Sequence, residues 1–212
     1  MTYRVFIVFS LLVIHSTASA QVVERGNAIW VGLKPGVTYR LEGYEVSEYI
    51  TPGDKNYTRR AYIKRDGEKE LRLFYTHGRQ IVVTLGHRRS LVLINDWGAT
   101  KSGKIVVANL RSGEKTQIDS QALKMYRQHA RPDHRLWIVP EAYGFSPHDR
   151  QVLIKMVKED ASAATAEESA RSSRTYKEWW YVVRSGNGQV EREYRTNKIP
   201  QRWWGTYRRR RV

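Results

Sequence analysis

The chain has 212 residues, with 37 Lys and Arg against 21 Asp and Glu, a formal net charge of +16, and no cysteine. The missing cysteine excludes thiol catalysis, disulfide staples and Cys-based metal sites. A positive surplus of this size attracts polyanions and anionic lipid faces.

Residues 1–20 have the three parts of a secretory signal. Arg4 supplies the basic start. Residues 5–14 form an apolar run broken only by Ser10, and Ala18-Ser19-Ala20 is the small-x-small pattern a signal peptidase needs. Ten apolar residues rise only ~15 Å as a helix, about half a bilayer core, so a cleaved leader is the better reading than an anchor. Cleavage would leave Gln21 first and a mature chain of 192 residues with charge +15. No Cys follows the leader, which excludes a lipid-anchored start. The expected location is periplasmic or secreted, in a bacterial envelope, where the sequon at Asn56 would stay unmodified. The length suits one domain of ordinary size or two very small ones. Residues 21–195 are the expected folded body and 196–212 a basic, Trp-rich tail.

Short runs of Val, Ile, Tyr and Trp, separated by Gly or Asn-Asp, predict strands rather than helices. In chain order they fall near 28–33, 38–47, 58–65, 70–76, 80–85 and 90–96. Further strands fall near 104–110, 115–118, 136–140, 151–157, 177–184 and 189–195. Leu71, Leu73 and Tyr75 are spaced to share one strand face. Residues 120–129 carry good helix formers, with Ser120 as a candidate N-cap. Residues 159–176 are Ala-, Ser- and Glu-rich and predict a flexible insert between two strands.

Turns repeat along the chain. Arg65-Asp66-Gly67, Arg111-Ser112-Gly113 and Arg184-Ser185-Gly186 each join two apolar runs, and the Gly of each is expected to supply a positive φ. His87-Arg88-Arg89 and His148-Asp149-Arg150 each launch an apolar strand. The segment from Phe145 to Ile154 resembles the first turn and strand of a β-propeller blade of the TolB and WD-like type. Lys104-Ile105-Val106-Val107-Ala108-Asn109-Leu110-Arg111-Ser112-Gly113 resembles the later part of such a blade. The resemblance spans roughly residues 80–195 and implies an all-β fold of antiparallel meanders, two to three blades. Closed propellers need at least ~4 blades. The chain would therefore be an open stack, or would complete itself by self-association. Such sheets host many unrelated activities, so the resemblance implies none.

Chemistry-bearing residues are sparse. His129, Asp133 and His134 fall within six residues but lack a third-ligand pattern, so they are weak metal candidates. Asp96 at a strand end and Glu141 after Pro140 are weak candidate acids, and glycoside hydrolysis would need them ~5–10 Å apart. There is no Gly-x-Ser-x-Gly elbow, phosphate loop or dinucleotide fingerprint, and no cofactor is expected. Arg202, Trp203, Trp204, Tyr207, Arg208, Arg209, Arg210 and Arg211 combine guanidinium forks with aromatic faces and are the candidate binding residues.

The leading expectation is an exported binding or scaffold module that engages an anionic envelope polymer, a lipid surface or a protein partner. Nucleic acid is not expected outside the cytoplasm. The alternatives are a carbohydrate-active hydrolase using Asp96 and Glu141, and a partial propeller that forms a homo-oligomer.

Overall fold

A computed structural model describes residues 25–26, 28–31, 38–50, 58–78, 80–96, 103–129, 136–160, 178–195 and 198–199. The leader, most of the insert at 159–176 and nearly all of the tail lie outside the described residues.

The chain is all-β with one short helix. Two N-terminal strands, β1 (Arg25–Gly26) and β2 (Ala28–Val31), precede a meander of β3 (Thr38–Leu41), β4 (Tyr44–Ile50), β5 (Arg59–Arg65) and β6 (Arg72–His77). A second meander holds β7 (Ile81–Leu85), β8 (Leu91–Asp96), β9 (Lys104–Asn109) and β10 (Lys115–Gln117). After α1 (Ser120–His129), a third holds β11 (Leu136–Phe145), β12 (Gln151–Asp160), β13 (Trp179–Arg184) and β14 (Val190–Arg195). Each meander is antiparallel. β1 adds to the first in parallel at β3, and β2 adds to the second antiparallel at β7. None of the three sheets closes on itself among the described residues.

The second sheet is the middle layer. Val92 and Ile94 on β8, with Val106 and Ala108 on β9, pack against Tyr39, Val46, Ala61 and Ile63 of the first sheet. The alternate residues Leu93, Ile105 and Val107 pack against Val152, Ile154, Tyr181 and Val183 of the third, with Ala122 and Tyr126 of α1. A sheet buried on both faces reads as unbroken apolar runs, which explains Leu91-Val92-Leu93-Ile94 and Ile105-Val106-Val107-Ala108. The far face of the third sheet buries Tyr143, Leu153, Trp180 and Val182 beneath Ile199.

Four expectations are corrected. The strand expected at 38–47 is a hairpin: Leu41 pairs with Tyr44 around Glu42-Gly43, and Gly43 takes φ +77°. The strand expected to stop at Pro140 runs on to Phe145. β11 is the edge of its sheet, where a residue without an N–H breaks no ladder. Leu73 and Tyr75 lie on opposite faces, because adjacent Ala61 and Tyr62 pair with Tyr75 and Leu73, leaving Phe74 as a bulge. Tyr75 is therefore buried and Leu73 exposed. Finally, Ser120 is the first helical residue, and Asp119 stands at the N-cap with its carbonyl accepting from Leu123 N–H at 2.8 Å.

The turn repeat is real but its register differs. In each meander the two turns at one end are tied by one backbone bond. Asp66 N–H donates to Gly43 O at 3.0 Å, Leu110 N–H to Ser90 O at 2.8 Å, and Ser185 N–H to Arg150 O at 3.0 Å. The turns after β9 and β13 close identically, with Gly113 N–H on Asn109 O and Gly188 N–H on Arg184 O. Gly113 therefore matches Gly188, not Gly186, and these two carry φ +76° and +69°. A Cβ at Gly188 would also sit 2.8 Å from the Ile118 backbone, whereas one at Gly186 would meet open space. We predict that Gly188→Ala costs about 2 kcal/mol by φ strain and collision. Gly186→Ala should change stability by less than about 0.5 kcal/mol. Urea denaturation of both variants checks this, and equal losses would refute the register.

Candidate anion-binding groove

The turns between β3 and β4, β7 and β8, and β11 and β12 lie at the same end of the stack. The second and third are five-residue connections, 86–90 and 146–150, that match position for position. Arg89 N–H donates to Gly86 O and Asp149 N–H to Ser146 O, and Arg89 and Asp149 both take positive φ, 54° and 58°. These two equivalent residues reach back to the preceding meander. Asp149 is buried, and its carboxylate accepts from His87 N–H at 2.8 Å and Arg88 N–H at 2.7 Å. The fit needs Gly86, where a Cβ would stand 2.8–3.1 Å from that carboxylate. Arg89 instead spans to Glu42 with a long side chain, and its carbonyl accepts from Tyr44 O–H at 2.7 Å.

A short arm thus links the third meander to the second, and a long arm links the second to the first. The connection of the first hairpin, residues 42–43, is also three residues shorter than its counterparts. Between the first and second meanders is a groove of about 650 Å³, lined by Glu42, Tyr44, Asp66, Glu68, Leu110 and five arginines. Arg65 and Arg72 flank the β5–β6 turn, at the end of β5 and the start of β6. Arg88 and Arg89 come from the β7–β8 turn, and Arg111 from the turn after β9.

The groove's acids are all engaged. Glu42 pairs with Arg89, and Asp66 pairs with Arg40 at 3.0 Å. Glu68 accepts from Arg65 N–H at 3.1 Å and pairs with Arg72 at 3.3 Å. Arg72 also lies 3.5 Å from Leu110 O. The guanidinium groups of Arg65, Arg88 and Arg111 are exposed and have no acidic partner among the described residues. By contrast, Arg184 in the equivalent third turn is committed to Glu191 at 2.6 Å, and that bond holds the Glu191 carboxyl below the usual range. Three uncommitted guanidinium groups around one recess are a standing attraction for an oxyanion, and each offers a planar fork for bidentate contact.

The acids chosen from sequence do not meet. Asp96 lies in the layer between the first and second sheets, accepting from Tyr75 O–H at 2.8 Å with Lys104 at 3.8 Å. Burial, reinforced by Asp96, pushes the Tyr75 phenol far up. Glu141 accepts from Tyr143 O–H at 3.0 Å on the far face of the third sheet. Asp96 thus faces the first sheet and Glu141 the far face of the third, so the two carboxylates point away from each other although their neighbours Asn95 and Ala142 are hydrogen-bonded. His129 stacks on Trp179 at 4.3 Å and pairs with Glu193 at 2.9 Å. Asp133 and His134 lie outside the described residues, as do Arg202, Trp203, Trp204, Tyr207 and Arg208 to Arg211. Among the described residues no three His, Asp or Glu side chains are grouped to hold a metal. Two other histidines occupy different settings: His77 is buried against Glu48 at 3.2 Å, and His87 is exposed.

Sequence reading missed the groove although it had marked its parts. The Arg-bearing turns were visible as repeats. Their convergence at one end is a property of the topology.

No family profile matches the chain, and no curated protein matches it. Among solved structures, similarity is found to the acylaminoacyl peptidase of Pyrococcus horikoshii, at 10% identity and a TM-score of 0.41. The match covers 74% of this chain and 24% of that one, so this chain corresponds to about a quarter of that protein's length.

A buried acid outside the groove yields a pH test. Asp119 lies beside α1 and accepts from Ile105 N–H at 3.2 Å. Burial pushes its carboxyl above the usual aspartate range, and the backbone bond offsets this only in part. The folded chain thus holds a proton that the unfolded chain has already released. Its contribution is fully present at low pH and is lost as pH rises through the raised folded value. Asp119→Asn keeps an acceptor for Ile105 and removes the charge. We predict that the melting temperature of Asp119→Asn, relative to the parent, climbs as pH is raised from about 3 to about 7. A gap that stays constant across that range would sink the assignment.

Proposed function

We propose that the chain is an exported binding module of a bacterial envelope, an open three-bladed stack of propeller type that captures an anionic partner at its arginine-lined end. The observation that carries the reading is the recess with Arg65, Arg88 and Arg111 uncommitted among the described residues. The leader pattern at 1–20 supports export, and the net charge of +16 supports an anionic partner. Three successive four-stranded meanders, tied by the same turn-to-turn bond, support the propeller reading. Arg202, Trp203, Trp204, Tyr207 and Arg208 to Arg211 would provide a second contact, stacking and pairing on the same surface, polymer or protein.

The secreted chain should begin at Gln21 and bind an acidic polysaccharide or anionic vesicles far better than neutral counterparts. Each exposed guanidinium–anion contact contributes about 0.5–1 kcal/mol. Replacing Arg65, Arg88 and Arg111 together by Ala should therefore weaken binding roughly tenfold to a hundredfold. Removing residues 203–212 should weaken it further. Calorimetric titration at two salt concentrations reads both effects. Equal affinity for acidic and neutral ligands, or unchanged affinity in the triple variant, would overturn the proposal.

A further inference from the structure

Resting on the anionic-partner reading, we infer that the groove takes a compact ligand carrying two or three closely set oxyanion groups, phosphates or carboxylates on one small molecule or head group, rather than a run of a long polyanion. The recess is the size of a small-ligand site, about 650 Å³. Its cations are all arginine. Arginine differs from lysine in presenting a rigid planar fork, so the lining suits oxyanion groups of defined geometry rather than diffuse charge.

The rim restricts how far charge can extend. Towards the first sheet stand Glu42, Asp66 and Glu68. Each is paired, yet a chain of anions leaving the recess on that side would pass these carboxylates at close range, well inside a Debye length. Towards the third sheet stands another carboxylate, the buried Asp149, which holds His87 and Arg88 N–H against Gly86. The Asp149 clamp also holds the Arg88 backbone, so the Arg88 fork projects from an anchored turn. Among the described residues of the lining, Tyr44 and Leu110 are the only largely apolar side chains, so the bound part of the ligand is polar. Arg65 and Arg111 approach from two different sheets and Arg88 from a third turn, which suits separate groups on one compact core.

The test is isothermal titration of the full secreted chain with tripolyphosphate, citrate, inorganic monophosphate and acetate at physiological salt. A long polyanion, polyglutamate, is then displaced in competition. Tripolyphosphate or citrate should bind one per chain, at least tenfold more tightly than monophosphate or acetate, and should displace polyglutamate. Whichever of the two binds more tightly identifies phosphate or carboxylate as the native group. Arg65→Ala, Arg88→Ala and Arg111→Ala should each weaken that binding about twofold to fivefold. Arg88→Lys, which keeps the charge and loses the fork, should weaken it nearly as much as Arg88→Ala, and circular dichroism should show all variants folded. If polyglutamate binding depends on these arginines while neither compact anion competes, this inference falls and the binding-module reading stands. If no anion binds, both fall. Full retention of affinity in Arg88→Lys would overturn the fork as the recognising element.

Discussion

The whole arrangement depends on burying the second sheet on both faces. A strand that alternates Val92 and Ile94 to one side with Leu93 to the other can be stable only if an apolar sheet covers each side. That constraint makes the first and third meanders obligatory partners of the middle one. It also sets every strand's register, since a slip of one residue would exchange the two cores. Where side chains could not complete the layer, polar groups are matched across it. Asn95 on β8 reaches β11, donating to Ala142 O at 3.0 Å and accepting from Ala142 N–H at 2.8 Å. The amide acts as a fragment of strand on the edge of the third sheet. With Pro140 beside it, it blunts an edge that would otherwise invite pairing with another chain.

The groove follows from a difference between two equivalent residues. Asp149 and Arg89 occupy the same turn position with the same left-handed backbone, and both contact the meander before them. A carboxylate on one methylene needs close approach and obtains it through Gly86. A guanidinium on three methylenes bridges a wider gap. The arginines of three turns collect around the recess on the Arg89 side. Their mutual repulsion is tolerated because the groups are exposed and screened. A bound oxyanion would relieve it.

Much of the fold was legible because strand signals are local. Alternation, β-branched runs and Gly-bearing turns placed most strands to within a few residues, and Ser120–His129 stands out by composition as the helix. The errors occurred where a distant residue decides the outcome. Phe74 bulges because of its pairing with β5. Pro140 is tolerated because its strand is an edge. Gly188 rather than Gly186 takes the left-handed backbone because the turn closes on Arg184. The facing of the candidate acids was hidden for the same reason. Asp96 and Glu141 each end or punctuate an apolar run, but which layer a side chain enters depends on sheet order and bulges that no short window contains.

The sequence by itself determined the all-β class, the strand-and-turn rhythm, the positive surplus and the repetition of Arg in the turns, because these reside in residue type and near-neighbour spacing. Only the tertiary structure decided which turns share an end, which carboxylates are spent on structure and which guanidinium groups remain uncommitted. The physical reason is that charge pairing and recess formation depend on through-space distances of a few ångströms between residues about 20 to 70 positions apart, and chain order carries those distances only through the completed stack.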